Sequence, residues 1–312
     1  MSQTPTLLPP RPTEAPASSS LPGPHPLVFS EVRIENTNRC GYKCFFCPRD
    51  QHTRDQGFMS LEDLALVLDR VGEHRGRVDL HGFGEPLLDR QLADKIALVR
   101  QRWPESEPRI YSTLGARVKP EEMERMVTNG LRQVEVSFYG FDAETYRQVH
   151  AVNGFEMAKR NLETLCRLQQ AYPETFQVVV RAFPSHPDVE APGSQEEVEA
   201  FRRWLADLGV ETVRERELHN YGNGRSYNTV DTEIPCSVTW GYRRRILQVT
   251  WDLHVIPCCF DFNAEVRFGN LRHQSLEEIL HGPVYEQFIR DHHENRLEDY
   301  PVCLGCERCH LA

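Results

Sequence analysis

The stretch "NTNRCGYKCFFCPRD", residues 36–50, sets three cysteines, Cys40, Cys44 and Cys47, at the spacing C-x3-C-x2-C. Thiolates are soft ligands that suit zinc, copper(I) and iron–sulfur clusters. A structural zinc site closes its shell with four ligands. Three thiols in eight residues leave one metal position open, and an open position is where a small molecule can bind and react. Two readings fit the spacing. In one the loop wraps a cubane cluster, each cysteine holding one iron. In the other it binds zinc, with a distant His such as His52 as the fourth ligand.

What flanks this loop decides the fold. "LVFSEVRIEN" before it is β-branched and aromatic, a strand signal. "SLEDLALVLDRVGEH" after it carries Ser60 and Asp63 at capping-box spacing and leucines at helical intervals. The alternation continues. "RVDLHGF", "RIYST", "QVEVSFY", "FQVVVRAF" and "ETVRERELHN" read as strands. Helices are expected over Arg90 to Arg102, in "KPEEMERMVTNG" with Pro120 at its start, through Leu168, and in "SQEEVEAFRRWLADLG" behind Ser194 and Glu197. Six strand–helix alternations predict an α/β fold with a parallel sheet and helices outside. Such sheets carry their sites at the carboxyl ends of the strands, where the cysteine loop sits.

Three segments follow. Residues 1–26 are rich in Pro and Ser and read as a disordered tail. Residues 27–230 hold the strand–helix rhythm. Residues 231–312 carry a dense cysteine set, short β segments such as "ILQVTWDLHVIP" and the capped helix "SLEEILHG", and read as a smaller second domain.

The chain has 312 residues and a net charge of −10, which argues against a phosphate-backbone partner. Arg243, Arg244 and Arg245 are read as a solvated face. No apolar run reaches the length of a membrane span, and no basic-then-apolar N-terminus marks a secretory signal. Cytoplasm is the expected compartment. There the ten cysteines read as metal ligands rather than disulfides. Cys166 stands apart in a helical pattern and is expected to be a buried apolar residue.

The cysteine loop resembles that of the radical S-adenosylmethionine (SAM) superfamily, whose signature is C-x3-C-x-Φ-C with an aromatic before the last cysteine, here Phe46. The resemblance extends over most of Leu27 to Cys309. "HGFGEPLLD" contains Gly84-Glu85-Pro86 and resembles the family's glycine–glycine–glutamate–proline motif, which grips the amino group of SAM. Phe83 stands where the first glycine usually is. "YSTLG" lies where the family often has a Thr-Asn-Gly turn, so Thr113 becomes a candidate contact. Ser137, in "VSFYGFDAETYRQV", matches a residue that commonly meets the ribose. Arg181 ends the fifth strand and is suited to the SAM carboxylate or to a surface ion pair. The resemblance implies a partial (β/α)6 radical SAM barrel with a [4Fe–4S] cluster on Cys40, Cys44 and Cys47. It also implies reductive SAM cleavage to a 5′-deoxyadenosyl radical, hydrogen-atom abstraction from a substrate carbon, and an electron donor such as flavodoxin or ferredoxin.

The second cysteine set resembles the SPASM/twitch-type auxiliary iron–sulfur extension of the same superfamily. It has a hairpin ending in a cysteine, a Gly269-Asn270 turn before "SLEEIL", and a closing Cys-x2-Cys. The resemblance implies an auxiliary [4Fe–4S] cluster on Cys236, Cys258, Cys303 and Cys306, the one-cluster version fitting the ligand count. The alternative is a four-cysteine zinc ribbon. Leu253 replaces the usual hairpin glycine, and Asp252 is the expected turn former. Cys259 should face away from Cys258 by strand alternation. It is either packing or a catalytic thiol that returns a hydrogen atom to a substrate radical. Cys309 is left as an alternative ligand or a free thiol.

Two substrate classes follow from the resemblance: sugar or aminocyclitol intermediates, dehydrogenated or epimerised, and ribosomal peptides or protein partners. The absence of an extra leader-binding domain before the barrel tilts the expectation to a small polar molecule. A different class stays open, a non-enzymatic zinc or iron–sulfur protein that binds RNA through "CGYKCFFCPR".

Overall fold

The computed structural model describes residues 29–185, 194–210, 212–217, 219–222, 224–225, 236 and 246–306. The expectations for residues 1–26, for Arg243 to Arg245 and for Cys309 lie outside them. The six expected strands form β1 (Glu31–Ile34), β2 (Arg77–Asp79), β3 (Glu107–Ser112), β4 (Gln133–Phe138), β5 (Gln177–Ser185) and β6 (Thr212–Glu217). All neighbouring pairs among them are parallel. Between them run α1 (Leu61–Val71), α2 (Leu92–Arg102), α3 (Pro120–Thr128), α4 (Ala143–His150), α5 (Phe155–Ala171) and α6 (Gln195–Asp207).

Local chemistry explains the helix starts. Ser60 accepts from Asp63 N, a one-sided cap rather than the reciprocal box expected. Ser194 and Glu197 form the full box, and Pro120 opens α3. The single helix expected through Leu168 is two. Ala151 takes a left-handed conformation at φ 56° and stops α4.

Strand residues alternate between two faces. Val32, Ile34, Val78, Ile110, Val134 and Val136 are buried on the outer face, where Leu64, Leu68, Ile96, Met123 and Leu162 of the helices complete the core. The inner face is polar, and it positions the site.

The sheet does not end with β6. Its order is β6-β5-β4-β3-β2-β1-β7-β8-β9, an open partial barrel. Strand β7 (Ile246–Val249) pairs parallel to β1, and β8 (His254–Ile256) returns antiparallel. The segment read as a second domain thus continues the barrel sheet through its hairpin. Gly269–Asn270 is not a turn but β9, paired to β8. Helices α7 (Leu276–Leu280, behind the Ser275–Glu278 capping box), α8 (Pro283–His293) and α9 (Pro301–Leu304) follow. Among the described residues no helix is long and apolar enough to cross a membrane.

Candidate active site

The cysteine loop leaves the carboxyl end of β1. Its backbone is pinned by α4. Because α4 ends at His150, its last carbonyls have no helical partner. Lys43 N donates to His150 O and Phe45 N to Val149 O, both at 3.2 Å. Arg225 braces the other side, donating to Phe45 O at 3.0 Å, to Cys47 O, and to Asp50 at 2.6 Å. Cys44 is buried, Cys40 and Cys47 are half-buried, and all three border one cavity of about 500 Å³. Phe46 is buried edge-on to Tyr139, ring centroids 5.3 Å apart.

The residues of this loop fit a cluster with one open position. Three soft donors face a shared space from one anchored loop. Burial pushes the Cys40 thiol up to about 11, so bound metal rather than water is the agent that would hold it as thiolate. Among the described residues no three potential ligands yet converge on one point. Cys44 Sγ contacts His150 Nδ1 at 3.1 Å instead. His52, the alternative zinc ligand, stacks on Phe83 and is driven down to about 4 by burial and then by Arg54 and Arg49.

Beside the loop, the turn after β2 brings Gly84 and Glu85 to the same cavity. Gly84 has no room for a side chain: an added Cβ would lie 2.5 Å from Thr37 O and 2.6 Å from Arg39 O. Glu85 N donates to Arg39 O, tying the turn to the cysteine loop. The Glu85 carboxylate accepts from Leu87 N (3.1 Å), Ser112 Oγ (2.7 Å), Thr113 N (2.8 Å) and Thr113 Oγ1 (2.8 Å). It therefore clamps the ends of β2 and β3 together. Pro86 is buried at the head of the 3-10 turn that follows. Ser137 and Arg181, register partners on β4 and β5, also line the cavity. Arg181 pairs with Glu135 and lies over the Tyr111 ring, so its guanidinium has an internal carboxylate partner.

Below these contacts lies a charged interior. Arg109 grips Asp79 through two hydrogen bonds at 2.7 and 2.9 Å and stands 3.7 Å from both Glu31 and Glu135. Arg33 pairs with Glu31 and lies 3.7 Å from Asp79. Nearer the loop, Arg54 holds Glu35 through two bonds of 2.8 Å. His81 lies tilted against Tyr111, ring centroids 4.3 Å apart, and burial, then Arg33 and Arg109, push it down to about 3. None of these residues stands out along the chain. Glu31, Arg33, Asp79, Arg109, Glu135 and Arg181 meet because they point to the same face of five neighbouring strands.

Next to the second cysteine set, Cys259 borders the cavity. Cys236 and Cys258 are half-buried, Cys303 and Cys306 buried. Burial, then the neighbouring Cys259, Cys236 and Cys306, push the Cys258 thiol well up, which puts these sulfurs within one another's field. Cys258 and Cys259 are not on a strand, because β8 stops at Ile256. They lie at the turn that follows it, where Asp261 N donates to Cys258 O. Cys259 is exposed and lines the cavity, its Sγ 3.4 Å from Arg33 Nη1. The expected hairpin turn places Leu253 at φ 71°, the conformation a glycine would take, while Asp252 accepts from Thr250 Oγ1 at 2.6 Å. Phe83 fills the missing first glycine's place with a ring stacked between His52 (5.3 Å) and Phe262 (5.1 Å), joining the loop 36–58 to the segment after Cys259. Cys166 is buried on α5, as expected.

Comparison with known proteins agrees with this geometry. Residues 34–180 match the family model described as the radical SAM superfamily, and residues 236–310 match an iron–sulfur cluster-binding domain, SPASM. A probable GTP 3′,8-cyclase of Saccharolobus islandicus is 25% identical over 63% of the chain. The chain spans only 59% of that relative's length. The SAM-dependent 2-deoxy-scyllo-inosamine dehydrogenase of Niallia circulans is 21% identical over 89% of the chain and 93% of its own length. Among solved structures, BtrN in complex with AdoMet and 2-DOIA superposes with a TM-score of 0.60 at 19% identity, covering 90% of this chain and 92% of that one. Streptococcus suis SuiB bound to precursor peptide SuiA gives 0.63 at 11% identity, covering 90% and 70%.

Proposed function

The chain belongs to the radical SAM superfamily and carries a C-terminal iron–sulfur cluster-binding domain, and from that premise we propose that it oxidises or epimerises a carbon centre of a small, polyhydroxylated ring such as an aminocyclitol. The observation that carries the reading is one cavity of about 500 Å³. It joins the cysteine loop, the Gly84–Glu85 turn, the polar barrel interior and Cys259. That volume suits a small-molecule site.

Its lining is charge-balanced. Arg33, Arg54 and Arg181 oppose Glu35, Glu85 and Asp261. A nucleoside triphosphate would demand cations in excess. A ring of hydroxyls needs donors and acceptors instead, and Tyr111, Ser137, Gln248 and Thr250 offer them. The dehydrogenase relative, matched along almost its whole length, points the same way.

Cleavage of SAM at its reduced [4Fe–4S] cluster supplies a 5′-deoxyadenosyl radical able to take a hydrogen atom from carbon. The chain's part is to hold and shield. In this reading Cys40, Cys44 and Cys47 hold the SAM-binding cluster, and Cys236, Cys258, Cys303 and Cys306 hold the auxiliary one. Gly84, Glu85 and Pro86 shape the turn that receives the amino group of SAM. Thr113, Ser137 and Arg181 border its remaining polar parts, with Phe46 beneath the loop. Phe83 and Phe262 wall the cavity on the auxiliary side and exclude water. Cys259 separates the two outcomes. A thiol can return a hydrogen atom to the opposite face of a substrate radical, which epimerisation requires and dehydrogenation does not.

The test is anaerobic reconstitution with SAM, dithionite and carbon-deuterated aminocyclitols, read by mass spectrometry. Deuterium should appear in 5′-deoxyadenosine. No 5′-deoxyadenosine with any member of the series would sink the substrate class. Under the same conditions Cys259→Ala should keep 5′-deoxyadenosine and lose an epimerised product. A wild-type yield of product from that variant assigns Cys259 to packing and leaves dehydrogenation.

A further inference from the structure

His150, the last residue of α4, is fully buried against the cysteine loop. Its ring is boxed in on three sides. It lies parallel to Tyr139 (centroids 5.5 Å, 11°), edge-on to Tyr42 (5.3 Å, 86°) and tilted against Tyr146 (4.2 Å). Its two nitrogens have different partners. Nε2 lies 3.3 Å from Tyr139 N. A backbone N–H can only donate, so Nε2 must accept. In a neutral imidazole the proton then sits on Nδ1. Nδ1 lies 3.1 Å from Cys44 Sγ. The tautomer is thus dictated from behind, by a peptide group, and the ring's one N–H is aimed at the sulfur of the central cysteine.

We propose that His150 donates its Nδ1–H to the Cys44 sulfur and thereby raises the reduction potential of the cluster held by the Cys40–Cys44–Cys47 loop. The inference rests on reading that loop as the SAM-binding cluster site. Its physical basis is electrostatic. Reduction adds negative charge that spreads onto the sulfurs, and a donor fixed on one of them stabilises the reduced form more than the oxidised one. The same contact keeps the Cys44 side chain oriented, so His150 is a positioning residue that acts through Cys44.

The two nitrogens allow a test that separates tuning from packing. In His150→Asn the amide nitrogen can occupy the place of Nδ1 and still donate to Cys44. In His150→Gln the amide oxygen can occupy the place of Nε2 and still accept from Tyr139 N, with no donor left for Cys44. His150→Phe keeps the ring and neither bond. Each variant would be reconstituted with iron and sulfide without air, its iron counted, and its clusters titrated while followed by electron paramagnetic resonance. The signal that changes on adding SAM identifies the cluster of this loop. The expected result is a potential near wild type for His150→Asn and clearly more negative potentials for His150→Gln and His150→Phe. Wild-type potentials in the Gln and Phe variants would overturn the proposal, as would a shift in the Asn variant equal to that of Gln. A wild-type protein in which no reduced signal responds to SAM would overturn the loop assignment itself, and this inference with it.

Discussion

Glu85 holds the fold at the turn where the resemblance places a ligand contact. By resemblance its carboxylate belongs to the amino group of SAM. In the structure it also collects four donors, two of them backbone N–H groups on either side of it, Leu87 and Thr113. Burial raises its pKa against those hydrogen bonds, which pull the other way. Glu85→Gln puts an NH2 group against one of the two backbone donors. The Ser112 and Thr113 hydroxyls can turn to accept, but an N–H cannot. One peptide N–H is left unpaired whichever way the amide is flipped, a cost of about 1–3 kcal/mol. The variant should therefore lower the denaturant midpoint of the SAM-free protein as well as weaken SAM binding. An unchanged midpoint with weaker binding would mean that the residue serves the ligand alone. No sequence signal announced the structural half of this role. Its donors come from the 86–88 turn and from the end of β3, roughly one strand–helix unit downstream.

Elements built from local chemistry were legible, and elements built from long-range pairing were not. The Ser194–Glu197 and Ser275–Glu278 boxes, Pro120 at a helix start, and six β-rich runs between helices all carry their cause within a few residues. The break at Ala151, the two-residue β9 and the pairing of β7 with β1 depend on partners far along the chain. The same division runs through the site. The seven cysteines read as cluster ligands and the Gly-Glu-Pro turn are recognisable by spacing. The Glu31–Arg33–Asp79–Arg109–Glu135–Arg181 interior is scattered one or two residues at a time over five strands. The β7–β8 hairpin shows what a departure from pattern means. Leu253 holds φ 71°, which favours glycine, yet its side chain is fully buried in the core. Leu253→Gly would relieve about 1–2 kcal/mol of backbone strain. It would lose a buried leucine, for which even truncation to Ala costs about 2–5 kcal/mol. Burial wins, so the variant should unfold at lower temperature than wild type although it restores the glycine usual in this position. A higher melting temperature would reverse that ranking.

For the whole molecule, the continuous sheet matters more than the count of domains. The hairpin leading to Cys258 and Cys259 is hydrogen-bonded to β1, the strand that leads into the Cys40–Cys47 loop. The two cysteine sets therefore sit on one scaffold, and Phe83 stacked between His52 and Phe262 bridges the segments that follow them. A shared scaffold does not make the metal sites interdependent, because the ligands are separate. Changing Cys40, Cys44 and Cys47 together to Ala removes the first set and leaves Cys236, Cys258, Cys303 and Cys306 in place. With two four-iron clusters the wild type should bind about eight irons per chain, and the triple variant about four. Loss of the first cluster should also abolish SAM cleavage, since the open iron that would bind SAM goes with it. The count discriminates sharply. Close to eight irons in the triple variant would mean that the loop holds no cluster. Close to none would mean that the second set assembles only when the first is filled, and the sheet would then be coupling the two sites. Zinc near two per wild-type chain would replace both clusters with structural metal and remove the radical chemistry altogether.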